Sequence, residues 1–385
     1  MVRLIHTADV HLDTCFSASG MPASFGNLRR QSLRDGFHRI IERAGEWPAA
    51  GLLIAGDLFE GDRVTRDTVQ FLISEFKSIL DVSVFIAPGN HDPFEPGSPY
   101  ATETWPKNVH IFSEPHWSSH TVHDGALTVH GFAFDGAQIS HNPFGELNIA
   151  KEEKSEVHVA VGHGSERGHQ PPDKDAYAAF DAQDAATEGL DYLALGHFHS
   201  VTPIRGNFET TVYYSGSPEG RSLRETGMHY YLEVEIRKGK TSVTQVPSSR
   251  IIYSTMQLEC DGFESSQDVI EAIRNVAKEE DVRQIARIAY IGNLDPAIHS
   301  EMGLIHDAAS IDFEHLILID KTVPLEDYEE LAREDTSLGA FVRALNDEIF
   351  KATDGAQRQR LERSRHLGVA GFRGREVEII GLERG

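Results

Sequence analysis

Eight side chains of the kinds that hold divalent metal ions fall in five short clusters: Asp9 with His11, Asp57, Asn90 with His91, His163, and His197 with His199. Carboxylate, imidazole and amide donors without a thiolate suit a hard or borderline ion such as manganese, iron, zinc or magnesium. Two such ions roughly 3.5 to 4 Å apart can clamp the attacking and leaving oxygens of a phosphoryl displacement, and a shared carboxylate is the simplest bridge between them. Asp57 is the candidate bridge. A water acidified by the ions would serve as nucleophile, so a Ser or Cys nucleophile is not needed. The chain shows no nucleophile elbow, Walker loop or cysteine pair that competes with this chemistry.

Each cluster ends an apolar run that reads as a buried parallel strand: Val2–Ile5, Leu52–Ala55, Val84–Ala87, Val157–Val161 and Tyr192–Leu195. Five strand ends are therefore expected to converge at one edge of a sheet, where open α/β sheets place ligands. Gly56, Gly89, Gly162 and Gly196 stand just before the ligands, where a residue without Cβ lets the backbone pass close to an ion. Gly162 and the strand end favour His163 over its neighbours His158 and His169; His158 lies inside the apolar run and reads as a hydrogen-bonded core or face histidine. His6, His110, His123, His130, His141 and His229 lack ligand-like partners at useful spacing and are expected to be structural or solvated.

The order D-x-H, G-D, G-N-H-D, G-H and G-H-x-H resembles the calcineurin-like metallophosphoesterase family. The resemblance implies an α/β fold, a four-layer α/β/β/α sandwich, with two divalent ions, manganese first among the candidates. It implies that Asp9, His11 and His199 complete one ion's shell and Asn90, His163 and His197 the other's, with Asp57 shared. His91 would stay off the metals and face the substrate, protonating the leaving oxygen or stabilising charge. Asp92 is the candidate for holding that ring in one tautomer.

Val212–Ser215, the stretch Gly216 to Gly227, and Pro93, Ser98-Pro99-Tyr100 and Trp105 to Phe112 resemble the SbcD and YhaO branch, a group of DNA repair exonucleases. That resemblance implies DNA as substrate and helices that dock on an SMC-like coiled-coil ATPase. One departure concerns Glu60: archaeal and eukaryotic relatives commonly carry a histidine three positions after the G-D aspartate, where it is thought to position DNA strands. Glu60 is read as a change in strand handling or as a surface residue without a role.

Strands Tyr230–Ile236 and Ser242–Val246 are expected to close the second sheet, with a boundary at Pro247-Ser248-Ser249. Residues 1–248 then form the catalytic domain. Residues 249–322 read as strand (Met256–Cys260), helix (Ser266–Lys278), strand (Ile285–Ile291), helix (Ala297–Ala309) and strand (Leu316–Ile319), a small α/β unit that resembles the family's capping domain or serves as a dimerisation element. Residues 323–385 read as helical, Leu325–Arg333 and then a helix capped by Thr336 or Ser337 through Phe350. Its stripe Leu338, Phe341, Val342, Leu345 and Ile349 is a core face or a partner surface.

The Arg358, Arg360, Arg363, Arg365, Arg373 and Arg375 tail is a phosphate-binding strip, a solvated helix face or a disordered end. A net charge of −24 opposes binding of a polyanion over the whole surface, so DNA binding requires a local basic strip, the ions or a partner. Cys15 and Cys260 are too few for a disulfide framework, and no secretory or membrane-spanning apolar run is present. A cytoplasmic, soluble protein is the expectation.

Overall fold

The computed structural model describes residues 1–16, 23–139, 141–149, 156–170, 175–237, 239–278, 282–324 and 326–374. The apolar runs become strands because their β-branched and aromatic side chains are buried on both faces, as parallel strands require. β1 (Val2–Thr7), β2 (Gly51–Ile54), β3 (Ser83–Ile86) and β4 (Val109–Ile111) lie side by side in parallel, in register Leu4 with Gly51, Leu52 with Val84, and Val84 with Val109. A second sheet contains β5 (Ser118–Val122), β6 (Leu127–Gly131), β7 (His158–His163), β8 (Tyr192–Gly196), β9 (Thr202–Ile204) and β10 (Thr211–Tyr214). Its order is β5-β6-β7-β8-β10-β9, parallel through β6, β7, β8 and β10 with antiparallel edges.

Two expectations are corrected here. The five ligand-bearing strands do not share one sheet: β1, β2 and β3 belong to the first and β7 and β8 to the second. The hairpin β11 (Tyr230–Arg237) and β12 (Lys240–Pro247) does not close the second sheet but extends the first, β11 pairing antiparallel with β1 from Val2 with Ile236 to His6 with Leu232. Periodicity says that a strand is half or wholly buried; it does not say which open edge receives it, and the free edge of β1 is the one used.

The two sheets face each other over a core in which Leu4, Leu53, Phe85 and Val234 meet Val129, Val159, Val161 and Tyr192. On the outer face of the first sheet, α1 (Ala23–Glu46) and α2 (Arg66–Ser78) bury Phe37, Ile40, Ile41, Leu72 and Phe76 against Ile5, Leu52 and Val84. α2 starts at a Thr65 cap whose hydroxyl oxygen accepts from Thr68 N at 3.2 Å. Among the described residues the second sheet is covered by loops and short 3₁₀ turns carrying Phe132, Phe134, Phe144 and Phe180, packed on Ala160, Leu193, Leu195 and Val212.

A separate sheet is formed by β13 (Ile251–Glu259), β14 (Arg283–Ile291) and the strand His315–Asp320. β13 starts at Ile251 rather than Met256, because Ile251, Ile252 and Tyr253 are buried ahead of the alternating stretch. The helix Ser266–Lys278 stands as expected, whereas the expected Ala297–Ala309 helix breaks into Pro296–Ser300 and Met302–Ala309 where Glu301 leaves helical geometry (φ −99°, ψ 9°). Helices Tyr328–Arg333, Ser337–Lys351 and Gly355–Phe372 follow, joined by a core of Leu331, Val342 and Val369. The arginine-rich stretch is thus largely helical, and Arg365 stacks on Tyr328 with its guanidinium 3.8 Å from the ring centroid. Leu325 and Arg375 lie outside the described residues.

The chain forms two compact units: Met1–Gln257 with Glu271–Ala289 and His306–Ile319, and Leu258–Ile270 with Tyr290–Ile305 and Asp320–Gly385. Residues 249–322 are divided between them. No described helix is long and apolar enough to cross a membrane.

Candidate metal centre

The loops that follow β1 and β2 are zipped together by backbone hydrogen bonds, Asp9 N to Gly56 O at 3.1 Å and His11 N to Asp57 O at 2.9 Å. At this point the second sheet closes in. A Cβ on Gly196, at the end of β8, would lie 1.9 Å from the Ala55 carbonyl oxygen, and one on Gly56 (φ 85°) would lie 2.4 Å from His163 Nδ1. Only glycine admits that approach. Four predicted ligands hold the left-handed backbone that Asp and His tolerate better than most residues: Asp9 (φ 53°), His11 (φ 48°), Asp57 (φ 53°) and His197 (φ 115°).

The side chains converge on Asp57. Its Oδ2 lies 3.5 Å from His11 Nε2 and 3.5 Å from His163 Nε2. Asp9 Oδ1 is 4.0 Å from His11 Nε2 and 3.8 Å from His199 Nε2. Asn90 Oδ1 is 3.0 Å from His163 Nε2, and the His197 ring stands 5.2 Å from the His163 ring, centroid to centroid. All seven residues predicted as ligands are therefore gathered at one place, and Asp9, His11, His199 and Asp9, Asp57, His163 each form a group whose ligand atoms lie within 4.8 Å of one another.

Three of the imidazoles share one arrangement. His11 Nδ1 meets Glu60 Oε1 at 2.8 Å, His163 Nδ1 meets Ala55 O at 2.9 Å, and His199 Nδ1 meets Glu225 Oε1 at 2.9 Å. Carboxylate and carbonyl oxygens only accept, so Nδ1 carries the proton in each ring and the Nε2 lone pair is left toward Asp9 and Asp57.

The residues fit a pair of divalent cations. His11 Nε2 is buried and has no hydrogen-bond partner, an orphaned lone pair beside two carboxylates. Burial, and then the Asp57 charge, push the Asp9 carboxyl well above the usual carboxylate range. Burial, and then Arg221, lower His11 to about 3, which keeps the ring neutral as a metal ligand must be. Two buried carboxylates facing neutral imidazoles are in want of positive charge, and their donor set is the one hard and borderline ions take.

His91 lies at the rim, half exposed, its ring 4.9 Å from that of His11. Its Nδ1 donates to Glu60 Oε2 at 2.9 Å. That bond, opposed by burial, raises His91 to about 9, so the ring is cationic at neutral pH. Here the expected role of Asp92 is corrected. Its carboxylate accepts from Asp57 N, Leu58 N, Gly89 N and Tyr100 Oη at 2.7 to 2.9 Å, binding the loops that carry Asp57 and Asn90, whereas Glu60 holds the His91 ring. The reason is geometric: Asp92 is wholly buried beneath the loop, and Glu60 reaches the rim from between His11 and His91.

Arg221, beyond the last ligand cluster, belongs to none of the five clusters. Its Nη2 lies 3.0 Å from His199 Nδ1, and its guanidinium is 3.7 Å from both Glu60 and Glu225. It lines the cleft of about 440 Å³ over the ligands, together with Asp57, Asn90, His91 and Tyr177. The departure at Glu60 was the one sequence signal for this outer layer; Arg221 and Glu225 gave none beyond their place in the Gly216 to Gly227 stretch.

Histidines set aside on sequence grounds have their own partners. His6 is buried between Tyr192 Oη at 2.8 Å and Leu195 O at 3.1 Å, His158 pairs with His130 at 3.1 Å, and His169 pairs with Glu166 at 2.6 Å. His141 is the exception: with His116 and Glu146 it forms a further group of potential ligand atoms on surface loops.

Among curated proteins the chain is similar to the uncharacterized metallophosphoesterase YhaO of Bacillus subtilis, 28% identical over 250 residues that make up 63% of this chain and 59% of that one. It is similar to the DNA double-strand break repair protein Mre11 of Methanopyrus kandleri, 25% identical over 243 residues (58% and 50% of the two chains), and to that of Methanosarcina acetivorans, 23% over 313 residues (77% and 47%). The chain thus spans about half to three-fifths of the length of these relatives. A crystal structure of a dimetal phosphatase from Danio rerio overlays with a TM-score of 0.43 at 10% identity, covering 64% of this chain and 96% of that one. The sequence pattern described as calcineurin-like phosphoesterase matches residues 2–201, more than half the chain, and with the two-sheet sandwich and its converging ligands it places the protein: the chain belongs to the calcineurin-like phosphoesterase family.

Proposed function

We propose that this chain is a two-metal phosphodiesterase that cleaves DNA, at ends or in single strands, in DNA repair. The family implies two divalent metal ions. The observation that carries the assignment here is Asp57 Oδ2, equidistant at 3.5 Å from an imidazole nitrogen of each half of the ligand set. In this reading Asp57 is shared, Asp9, His11 and His199 hold one ion, and Asn90, His163 and His197 hold the other. Bound there, the ions, manganese by preference, would polarise the phosphoryl group and acidify the attacking water.

The chain's own residues supply the rest. His91, charged and held by Glu60, donates a proton to the leaving oxygen. Asp92 positions Asp57 by binding its backbone, and Arg221 presents a cation to the substrate phosphate. The small α/β segment 249–322 acts as the cap and 323–385 as a helical region, with an SMC-like ATPase or a second copy as candidate protein partners in the cytoplasm. Similarity to two Mre11 proteins supports DNA as substrate.

A second reading, a phosphatase or nucleotide phosphodiesterase for small substrates, is favoured by the net charge of −24, which repels a long polyanion. Both are tested by end-labelled single- and double-stranded DNA incubated with the protein and manganese beside Asp57→Ala and bis(p-nitrophenyl) phosphate. DNA cleavage that vanishes in the variant supports the nuclease. Ester hydrolysis that vanishes while DNA stays intact selects the small substrate.

A further inference from the structure

Adjoining the metal cleft is a second cavity, of about 560 Å³, whose wall includes Phe16, Leu223 and three arginines, Arg221, Arg224 and Arg287. Arg221 lines both spaces, so its side chain stands between them. All of these residues belong to the first compact unit; Arg287 comes from the half-exposed face of β14 and the other two arginines from the loop after β10.

Charge is the informative property of this cavity. Acidic residues outnumber basic ones, 60 to 36, so an arginine on the surface of this chain would ordinarily find a carboxylate. Arg221 has two within 3.7 Å. Arg224 and Arg287 form no ion pair among the described residues, and the Nε–H groups of Arg221 and Arg287 are buried without an acceptor. Three guanidiniums in one cavity repel one another, and the two that lack a carboxylate partner among the described residues, Arg224 and Arg287, have the fork-shaped geometry that matches phosphate oxygens.

The loop is rigidly mounted. Arg29, fully buried, donates to Glu219 Oε1 at 2.9 Å and to Gly220 O at 2.7 Å; Glu219 in turn accepts from Arg250 N at 2.7 Å and Ile251 N at 3.2 Å. Glu225 closes the turn by accepting from Arg221 N at 2.8 Å. The backbone that carries Arg221 and Arg224 is therefore fixed before any ligand arrives, which lowers the entropic cost of binding.

We infer that this cavity is a subsite for the phosphates flanking the scissile one, so that the preferred substrate is a nucleic-acid strand that continues past the metal centre. The inference rests on the phosphodiesterase reading and specifies the substrate for it. It also resolves the opposition between charge and substrate: the polyanion is met by a local cluster of arginines while the rest of the surface repels it.

The test uses the full chain and a fluorescein-labelled ten-nucleotide DNA strand, with binding followed by anisotropy in EDTA so that nothing is cut. For Arg224→Gln/Arg287→Gln, Kd rises at least tenfold and the slope of log K against log salt falls by about 1.4, about 0.7 for each lost phosphate contact. The melting midpoint verifies that the variant is folded. Removing the same charge at Arg237 and Lys240, in the turn of the β11–β12 hairpin, leaves Kd and slope unchanged. Equal Kd and slope in the cavity variant and the wild type overturn the subsite, even where the wild type cleaves the strand with manganese. Binding that depends on the two arginines without any cleavage by the wild type keeps the subsite and overturns the nuclease. A wild type that neither binds nor cleaves overturns both.

Discussion

At the scale of single residues, the arrangement around Glu60 is the feature most open to experiment. Its carboxylate takes hydrogen bonds from both His11 and His91, so the proposed ligand and the proposed proton donor share an anchor. Glu60→Ala should lower manganese affinity and kcat each by about 10- to 100-fold, the usual effect of removing a group that orients a metal ligand. Titration of manganese binding, followed without substrate, separates the two losses; unchanged affinity and unchanged kcat would remove Glu60 from the site. His91→Ala should cost kcat about 10²- to 10⁴-fold with manganese binding retained. Full rate in that variant would deny His91 its role as proton donor. The candidate ligands were legible in the sequence because each sits at the end of an apolar run, but Glu60, Arg221 and Glu225 reach His11, His91 and His199 across 22 to 49 positions that no local pattern encodes.

His6 shows what a buried histidine does when it is not a ligand. Leu195 O only accepts, so His6 Nε2 carries the proton and Nδ1 accepts from Tyr192 Oη. Burial, opposed by the Leu195 bond, lowers its pKa to about 3. The unfolded chain takes up the proton near pH 6.5 and the folded one does not, so stability is fully present above about pH 6.5 and falls as the pH drops toward 3. His6→Gln should flatten that fall. Urea midpoints measured from pH 7 to pH 4 check it, and an equally steep decline in the variant would assign the acid sensitivity elsewhere.

Among the elements, strand positions were readable to within two residues at β1, β2, β3, β7 and β8, since almost unbroken burial leaves an apolar run. Sheet membership was not, because β11 carries the same kind of pattern whether it pairs with β1 or with a strand of the other sheet. The broken helix at Glu301 escaped for a related reason: both halves keep helical spacing, and only the backbone angles at the joint differ. α2 offers a direct test of local stabilisation. Thr65→Ala removes the oxygen that accepts from Thr68 N and the hydroxyl that donates to Asp13, and should cost about 1 kcal/mol. A change in the urea midpoint too small to resolve would show that Asp13, still bound to the Thr65 amide at 2.8 Å, suffices to hold the helix start.

For the molecule as a whole, the candidate metal centre joins two sheets whose other contact is largely apolar, His6 with Tyr192 and Leu195 excepted. β1, β2 and β3 bring Asp9, His11, Asp57 and Asn90, and β7 and β8 bring His163, His197 and His199. Ions bound at a hundred times their Kd should stabilise the fold by about 2.7 kcal/mol each. Manganese added to EDTA-treated protein should therefore raise the melting midpoint by several degrees, and Asp57→Ala should abolish most of that rise. A midpoint indifferent to manganese in the wild type would place the ions elsewhere or nowhere.

The left-handed backbone at Asp9, His11, Asp57 and His197 carries a further consequence, for inheritance rather than for chemistry. Valine, isoleucine and threonine are poorly tolerated in that conformation, and glycine and asparagine are well tolerated. The mutational routes out of this site are therefore unequal: Asp to Asn or Gly relieves backbone strain and buried charge at once, producing a chain that is firmer and inert. Lineages released from selection for catalysis should accumulate Asn and Gly at positions 9 and 57 before they lose the fold, leaving well-folded, metal-free descendants free to take up binding alone.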